Sequence, residues 1–203
     1  MGQSLSGIVH SAFDVKSWFS ATPSVAGVRP KWCVSCRAAS SPFGGRIVVQ
    51  GHGLLERQVR GPLGAYGQPR QVLIRARRFR CILCRAVMLV VPRGMVGRRL
   101  YSLQAIALAL ALFGSSMPVA EIRQHVSPWR SPADVASRWT TLRRWLDATV
   151  AGRLFVGIRA PPDLRPLRRQ AEQVAAQLVG RSPSDSRSEP DHWRAFRTGE
   201  QAG

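Results

Sequence analysis

Apolar positions along the chain follow two different rhythms. From Cys33 to about Pro92 they lie in short runs broken by glycine and proline, namely Arg46 to Gln50, Leu54 to Arg60, Val72 to Arg80 and Ala86 to Val91. Such runs predict strands. Gly51-His52-Gly53 reads as a hairpin turn between the first two, and Gly61 to Pro69 as the loop leading to the third. Beyond Arg98 and Arg99 the apolar spacing lengthens to three and four residues, the mark of helices, so a subdomain boundary is expected near residues 92 to 100. Residues 1–30 keep no sustained period and contain Pro23, Gly27 and Pro30, which predicts a loosely ordered, flexible arm.

The helical part resolves into several segments. One opens at Ser102 as N-cap and ends at Gly114, with Leu103, Ile106, Leu110 and Phe113 at helical steps; its remaining faces are apolar too, which predicts a central position. A short second helix begins near Pro118, with Glu121 in its first turn and Val119, Ile122 and Val126 on one side. The third is delimited by Ser131-Pro132-Ala133-Asp134, a cap, a first-turn proline and an acid. Its core stripe is Val135, Trp139, Leu142 and Leu146. Its outer face carries Ser137, Thr140, Thr141 and Arg144, flanked by Arg138 and Arg143. A last amphipathic helix spans about 164 to 179, with Leu164, Leu167, Ala171, Val174 and Leu178 alternating by three and four; packing against the other helices and a homodimer seam through residues 164–178 are both readings of that stripe.

These elements predict an α+β chain: an arm over 1–30, a small antiparallel β zinc ribbon over 31–92, a three-helix, helix-turn-helix-like bundle over 100–150, the amphipathic helix over 163–179, and a disordered tail over 180–203. The zinc assignment comes from the cysteines. Cys33-Val34-Ser35-Cys36 and Cys81-Ile82-Leu83-Cys84 each offer two thiolates on a tight turn, and two such pairs complete a tetrahedron around one structural Zn2+. The insert from Arg37 to Arg80 exceeds the usual ribbon spacing of about 15–20 residues, and the strands fill it. Redox dithiols or unligated buried cysteines are the alternatives, although thioredoxin-like chemistry calls for a parallel βαβ context that the pattern lacks. None of His10, His52, His125 and His192 stands at ligand spacing to another candidate.

Charge changes the picture next. Among 203 residues, 30 are Lys or Arg and 11 are Asp or Glu, a net +19, and the only lysines are Lys16 and Lys31. An arginine-rich surface seeks polyanions, and its planar forks suit phosphates and guanine edges. Arg75, Arg77, Arg78 and Arg80 alternate along one strand and Arg98 and Arg99 extend the strip toward the helices, as a phosphate grip or as a solvated sheet edge. The third helix, basic and small on its outer face, meets the needs of a recognition helix; a plain bundle with a charged exterior is the other reading. The longest apolar run, Leu103 to Phe113, is shorter than the roughly 20 residues a bilayer span requires. Asp14 and Lys16 interrupt the first thirty residues, so no secretory leader is expected and the cytoplasm is the expected compartment.

The order of C-x-x-C, Gly51-His52-Gly53-Leu54-Leu55-Glu56-Arg57-Gln58-Val59-Arg60, Arg77-Arg78-Phe79-Arg80-Cys81 and Leu100-Tyr101-Ser102 resembles the zinc-ribbon and helix-turn-helix front ends of bacterial insertion-sequence transposases, and small stand-alone relatives of unassigned function. Val126-Ser127-Pro128-Trp129 and Trp139-Thr140-Thr141-Leu142-Arg143-Arg144-Trp145 extend the likeness, which covers about residues 31 to 147. The resemblance implies zinc at Cys33, Cys36, Cys81 and Cys84 and DNA contact by the third helix. It departs where Arg37 and Arg85 replace the glycine that usually follows each knuckle, and where nothing after residue 150 supplies the three metal-binding carboxylates of the transposase catalytic sheet. The expected function is zinc-dependent binding of duplex DNA without catalysis, with an RNA-binding or protein-interaction module as the alternative; no acid/base pair, activated nucleophile or phosphate loop stands at chemical spacing.

Overall fold

The computed structural model describes residues 5–97, 99–127, 139–159 and 166–202. Its elements are β1 (Leu5–His10), α1 (Val15–Ser20), β2 (Val49–Gly61), β3 (Arg70–Cys81), β4 (Val87–Val91), α2 (Leu103–Gly114), α3 (Val119–Val126), α4 (Thr140–Val150), α5 (Leu167–Gly180) and α6 (Asp191–Gln201). The strands form one four-stranded sheet in the order β1-β4-β3-β2, followed in the chain by the helical part, so the α+β class stands.

The sheet is mixed rather than antiparallel. β2 and β4 each run antiparallel to β3, but β1 lies parallel to β4, with Ile8 opposite Leu89 and His10 opposite Val91. Residues 5–20, read as part of a flexible arm, therefore supply a sheet strand and a helix. The reason lies in β4, whose five residues are all buried. A strand buried on both faces also needs its open backbone edge covered, and β1 does this. Leu5–His10 is too short for its own periodicity to announce it. Asp14 caps α1 by accepting from the Ser17 amide at 2.7 Å, and Trp18 then packs at 1% exposure while its indole donates to the Arg75 carbonyl at 3.0 Å.

β2 also departs from expectation. Gly51-His52-Gly53 is no hairpin turn: the strand continues through it, and the register against β3 shifts by one between Gly51 and Leu54. Two residues there stand against one on β3, which makes this a β-bulge, and Gly53 takes the left-handed φ of +88°. The true β2–β3 connection is the glycine- and proline-rich stretch from Gly61 to Arg70. Past the bulge, Leu54 faces Arg77, Glu56 faces Arg75, and Val59 faces Val72; Val49, before it, faces Cys81. Between Gln50 and Gln58 no β2 residue is fully buried.

Two cores result. Trp18, Ile74, Phe79, Met88, Leu89, Cys33 and Cys81 anchor the one around the sheet. The other surrounds α2, in which every residue from Leu103 to Leu112 is buried, as its all-round apolar sequence predicts. Ser102 caps it by accepting from the Ala105 amide at 3.3 Å. α3 turns Ile122 and Val126 inward, and α5 buries Ala171, Val174 and Leu178, so that stripe is occupied inside the molecule. Residues 180–203, read as a disordered tail, carry α6. Phe196 is fully buried, and Gly199 meets α2 so closely that a Cβ there would stand 2.7 Å from the Gln104 Cα. Few apolar residues are needed for so close a contact, and that left α6 looking like a polar tail.

The start of the third helix, with its Ser131-Pro132 cap and Val135, lies outside the described residues, as do Leu164, Ser137, Arg138 and Arg98. Within α4, Leu142, Trp145 and Leu146 are buried. Trp139 precedes the first turn and stands edge-on to Trp145 at 5.3 Å, and Trp145 stands edge-on to Tyr101 at 4.9 Å.

Candidate metal centre

Both knuckles are built from the same six-letter pattern. Cys33-Val34-Ser35-Cys36-Arg37-Ala38 and Cys81-Ile82-Leu83-Cys84-Arg85-Ala86 close with matching backbone bonds. Arg37 N–H donates to the Cys33 carbonyl at 3.1 Å and Cys33 N–H to the Ala38 carbonyl at 2.9 Å; Arg85 donates to Cys81 at 2.9 Å and Cys81 to Ala86 at 3.0 Å. Each turn bends back at the residue after the second cysteine, which forces a left-handed backbone, φ +61° at Arg37 and +63° at Arg85. Glycine would occupy that conformation without strain; arginine does not.

The knuckles meet because their surroundings bring them together. Cys81 ends β3 and Ala86 leads into β4, while Ile82 N–H donates to the Val48 carbonyl at 3.0 Å. Val48 N–H in turn donates to Ser40 at 2.8 Å, and Ser40 N–H to Lys31 at 2.9 Å, tying the first knuckle to the start of β2. Gly7 of β1 passes so near that a Cβ there would stand 3.1 Å from Val34. Cys33 and Cys81 are buried, and Cys36 and Cys84 are exposed.

All four Sγ atoms lie within 4.8 Å of one another, with Cys33 to Cys84 at 3.6 Å and Cys36 to Cys81 at 3.7 Å. A zinc ion bound tetrahedrally at about 2.3 Å holds its sulfurs about 3.8 Å apart, whereas a disulfide requires about 2 Å. The cluster fits the ion and excludes the bond. The four cysteines form a structural Zn2+ site. Four thiolates fill the coordination shell, which leaves no position for a reacting water.

Compared with protein-family models, curated proteins and solved structures, the chain matches none. The transposase likeness therefore rests on the residues quoted for it, and what stands beyond it is the four-cysteine cluster.

Hydrogen bonding prepares the sulfurs. The Ala86 amide, together with the other three thiols, draws Cys84 down to about 6. At Cys36 the Ala38 amide acts in the same direction, but lost hydration and the three neighbouring sulfurs outweigh it and push the thiol up to about 11. The two exposed corners thus differ: Cys84 is the readier thiolate, and Cys36 is the thiol whose proton metal binding would have to displace.

The basic residues distribute unevenly. Arg75 is exposed; Arg77, Arg78, Arg80 and Arg99 are half-buried; Arg143, Arg144 and Thr140 are exposed and Thr141 half-buried. Arg77 is committed in part, since its Nε donates to the Pro23 carbonyl at 2.8 Å. The strand pairing also brings in Arg57, opposite Ile74, and Arg70, opposite Gly61. Their part in the strip could be seen only once the hairpin register was known. Among the described residues no helix is long and apolar enough to cross a membrane.

Proposed function

We propose that the chain is a zinc-dependent duplex-DNA-binding protein of transposase-like ancestry without catalytic activity of its own, in which β2 and β3 grip the phosphate backbone and α4 meets base edges. The carrying observation is a set of unpaired cations. Arg75, Arg78, Arg80, Arg143 and Arg144 have no ion-pair partner among the described residues, in a chain of net charge +19. Even Arg75, directly across from Glu56, forms no ion pair with it. Arginines held on a strand that runs into a cysteine knuckle, and others on the packed helix α4, present charge in a fixed arrangement, as phosphate recognition requires.

The decisive experiment is binding-site selection from random duplex DNA with and without zinc chelation. An enriched motif that disappears on chelation supports the reading; no enrichment, or enrichment indifferent to the metal, removes it. If about six phosphates are neutralised, log affinity should fall against log salt with a slope of about −5. A second reading, a protein-interaction or RNA-binding module, is favoured by Phe43, fully exposed, and by Trp32 at 53% and Leu83 at 65% exposure beside the knuckles. Recovery of one protein or of RNA, with no preference for duplex DNA, would select it.

A further inference from the structure

Away from the zinc site, an open cavity of about 640 Å³ lies between α1, the Gly64–Ala65 stretch of the β2–β3 connection and α6. Three cations line it: Lys16, Arg93 and Arg197. Its two acids, Asp14 and Glu200, have partners of their own. Asp14 accepts from the Ser17 amide and hydroxyl at 2.7 and 3.0 Å, and Glu200 lies 3.6 Å from Arg197, which also binds Glu189 at 2.9 Å. Lys16 and Arg93 form no ion pair among the described residues, and the Arg93 Nε is buried without an acceptor. Asp14 keeps its charge, because its partners are neutral, and Arg93 lies within Coulombic reach of Glu200, so the three cations of the lining outnumber its two acids by one.

Two aromatic rings stand next to residues of that lining: Tyr66 follows Ala65, and Trp193 precedes Arg197 by one turn of α6. Tyr66, one residue beyond Ala65, is 59% exposed, and its ring rests on Trp193 at 4.7 Å. Its φ is +61°, the left-handed region that a tyrosine enters only under constraint. Folding thus holds a large ring outward at a backbone cost, where a glycine would serve the turn better. Trp193, Arg197 and Glu200 stand at i, i+4 and i+7 of α6 and share one face, so the aromatic step lies about 6 Å along the helix from the charged floor. An exposed ring beside unpaired cations matches a flat base joined to a phosphate.

We propose that this groove binds a nucleotide, its base stacked on Tyr66 and its phosphate held by Lys16 and Arg93. The site is separate from the zinc knuckles and does not depend on the duplex-DNA reading.

Calorimetry and tryptophan fluorescence on the zinc-loaded full chain test it, with dAMP, inorganic phosphate and deoxyadenosine as probes. The expected result is that dAMP binds about tenfold or more tighter than either fragment. Lys16→Gln should weaken dAMP and phosphate together by about tenfold, whereas Tyr66→Gly, which relieves the backbone, should weaken dAMP and leave phosphate unchanged. A 5′-phosphorylated oligonucleotide binding more tightly than both dAMP and its 5′-hydroxyl counterpart identifies a strand end as the source; dAMP binding as well as the oligonucleotide identifies a free nucleotide. The proposal is overturned if dAMP binds no better than phosphate, or if both variants bind it like the parent chain. Those outcomes leave zinc-dependent selection of internal duplex sites untouched, and failure of that selection leaves dAMP binding untouched.

Discussion

Replacing the arginine that ends each knuckle with glycine should stabilise the protein. Arg37 and Arg85 hold φ values of +61° and +63°, and a non-glycine residue in the left-handed region costs roughly 1–2 kcal/mol. Glycine returns part of that gain, because its freer unfolded chain disfavours folding by about 0.4–1 kcal/mol. Each substitution should therefore yield about 0.5–1 kcal/mol, and the pair together about 1–2 kcal/mol. One opposing effect is electrostatic. Four thiolates around Zn2+ carry a net negative charge, and both arginines are exposed beside it, where such attraction is worth only about 0.2–1 kcal/mol and is screened by salt. At high ionic strength, where that attraction is screened, strain should win. There, for a domain near this size, the double variant should melt roughly 2–6 °C higher, and at low salt by less. Thermal unfolding of the zinc-loaded protein at low and high salt measures it, with Arg37→Lys and Arg85→Lys as controls that keep charge and strain. Melting of the glycine variants at or below the parent temperature at both salts would refute the strain argument and make charge compensation the reason arginine stands there.

Three further outcomes follow from the same structure. Elemental analysis should find one zinc per chain, and Cys81→Ser should release it together with the sheet's near-ultraviolet signal; a folded, metal-free parent chain would remove the site. Gly199→Val would drive a side chain into the Gln104 backbone and should cost about 2–3 kcal/mol, read from denaturant melts, and an unchanged midpoint would contradict the α2–α6 contact. Burial, with Asp14 nearby, raises the Glu200 carboxyl above its ordinary range despite Arg197 and Arg93. The folded state then holds that proton more tightly than the unfolded, so the contribution is present below the unfolded pKa and lost as pH rises through the folded one. Glu200→Gln should flatten the decline above pH 4 or so, and an identical pH profile in both proteins would rule out that origin.

What could be read from the amino acids follows the range over which each signal acts. Cysteine spacing is local chemistry, and all four ligands were legible from it. The limits of α2 were legible too, because Ser102 and Gly114 bracket a run whose apolarity leaves no doubt about its place. β1 was not, since six residues become a strand only when β4 offers an edge. The Gly51-His52-Gly53 segment marks a bend in either case, and only its partner on β3 decides between turn and bulge. Tyr66 leaves no pattern at all: its tilted contact with Trp193 joins residues more than a hundred positions apart, and its left-handed φ has no glycine to announce it. Arg75, Arg143 and Arg144 are exposed, whereas Arg77 also donates to the Pro23 carbonyl, so Arg75→Ala disturbs the fold less than Arg77→Ala.

The pairing of Val49 with Cys81 gives the metal a role in alignment. Strand pairs keep their register where one face is buried, because a slip of one residue turns every side chain over. From Gln50 to Gln58, β2 has no fully buried residue to enforce this. Yet Cys81, at the end of the ladder, is tied through sulfur to Cys33 and Cys36, and the backbone before Val49 is tied to the same knuckle. A slipped β3 would carry one sulfur out of the tetrahedron. A bound ion would thus add a second check on the alignment that buried Val49 and Val59 of β2 and the alternating buried residues of β3 already favour, and the arginines along the two strands share that register.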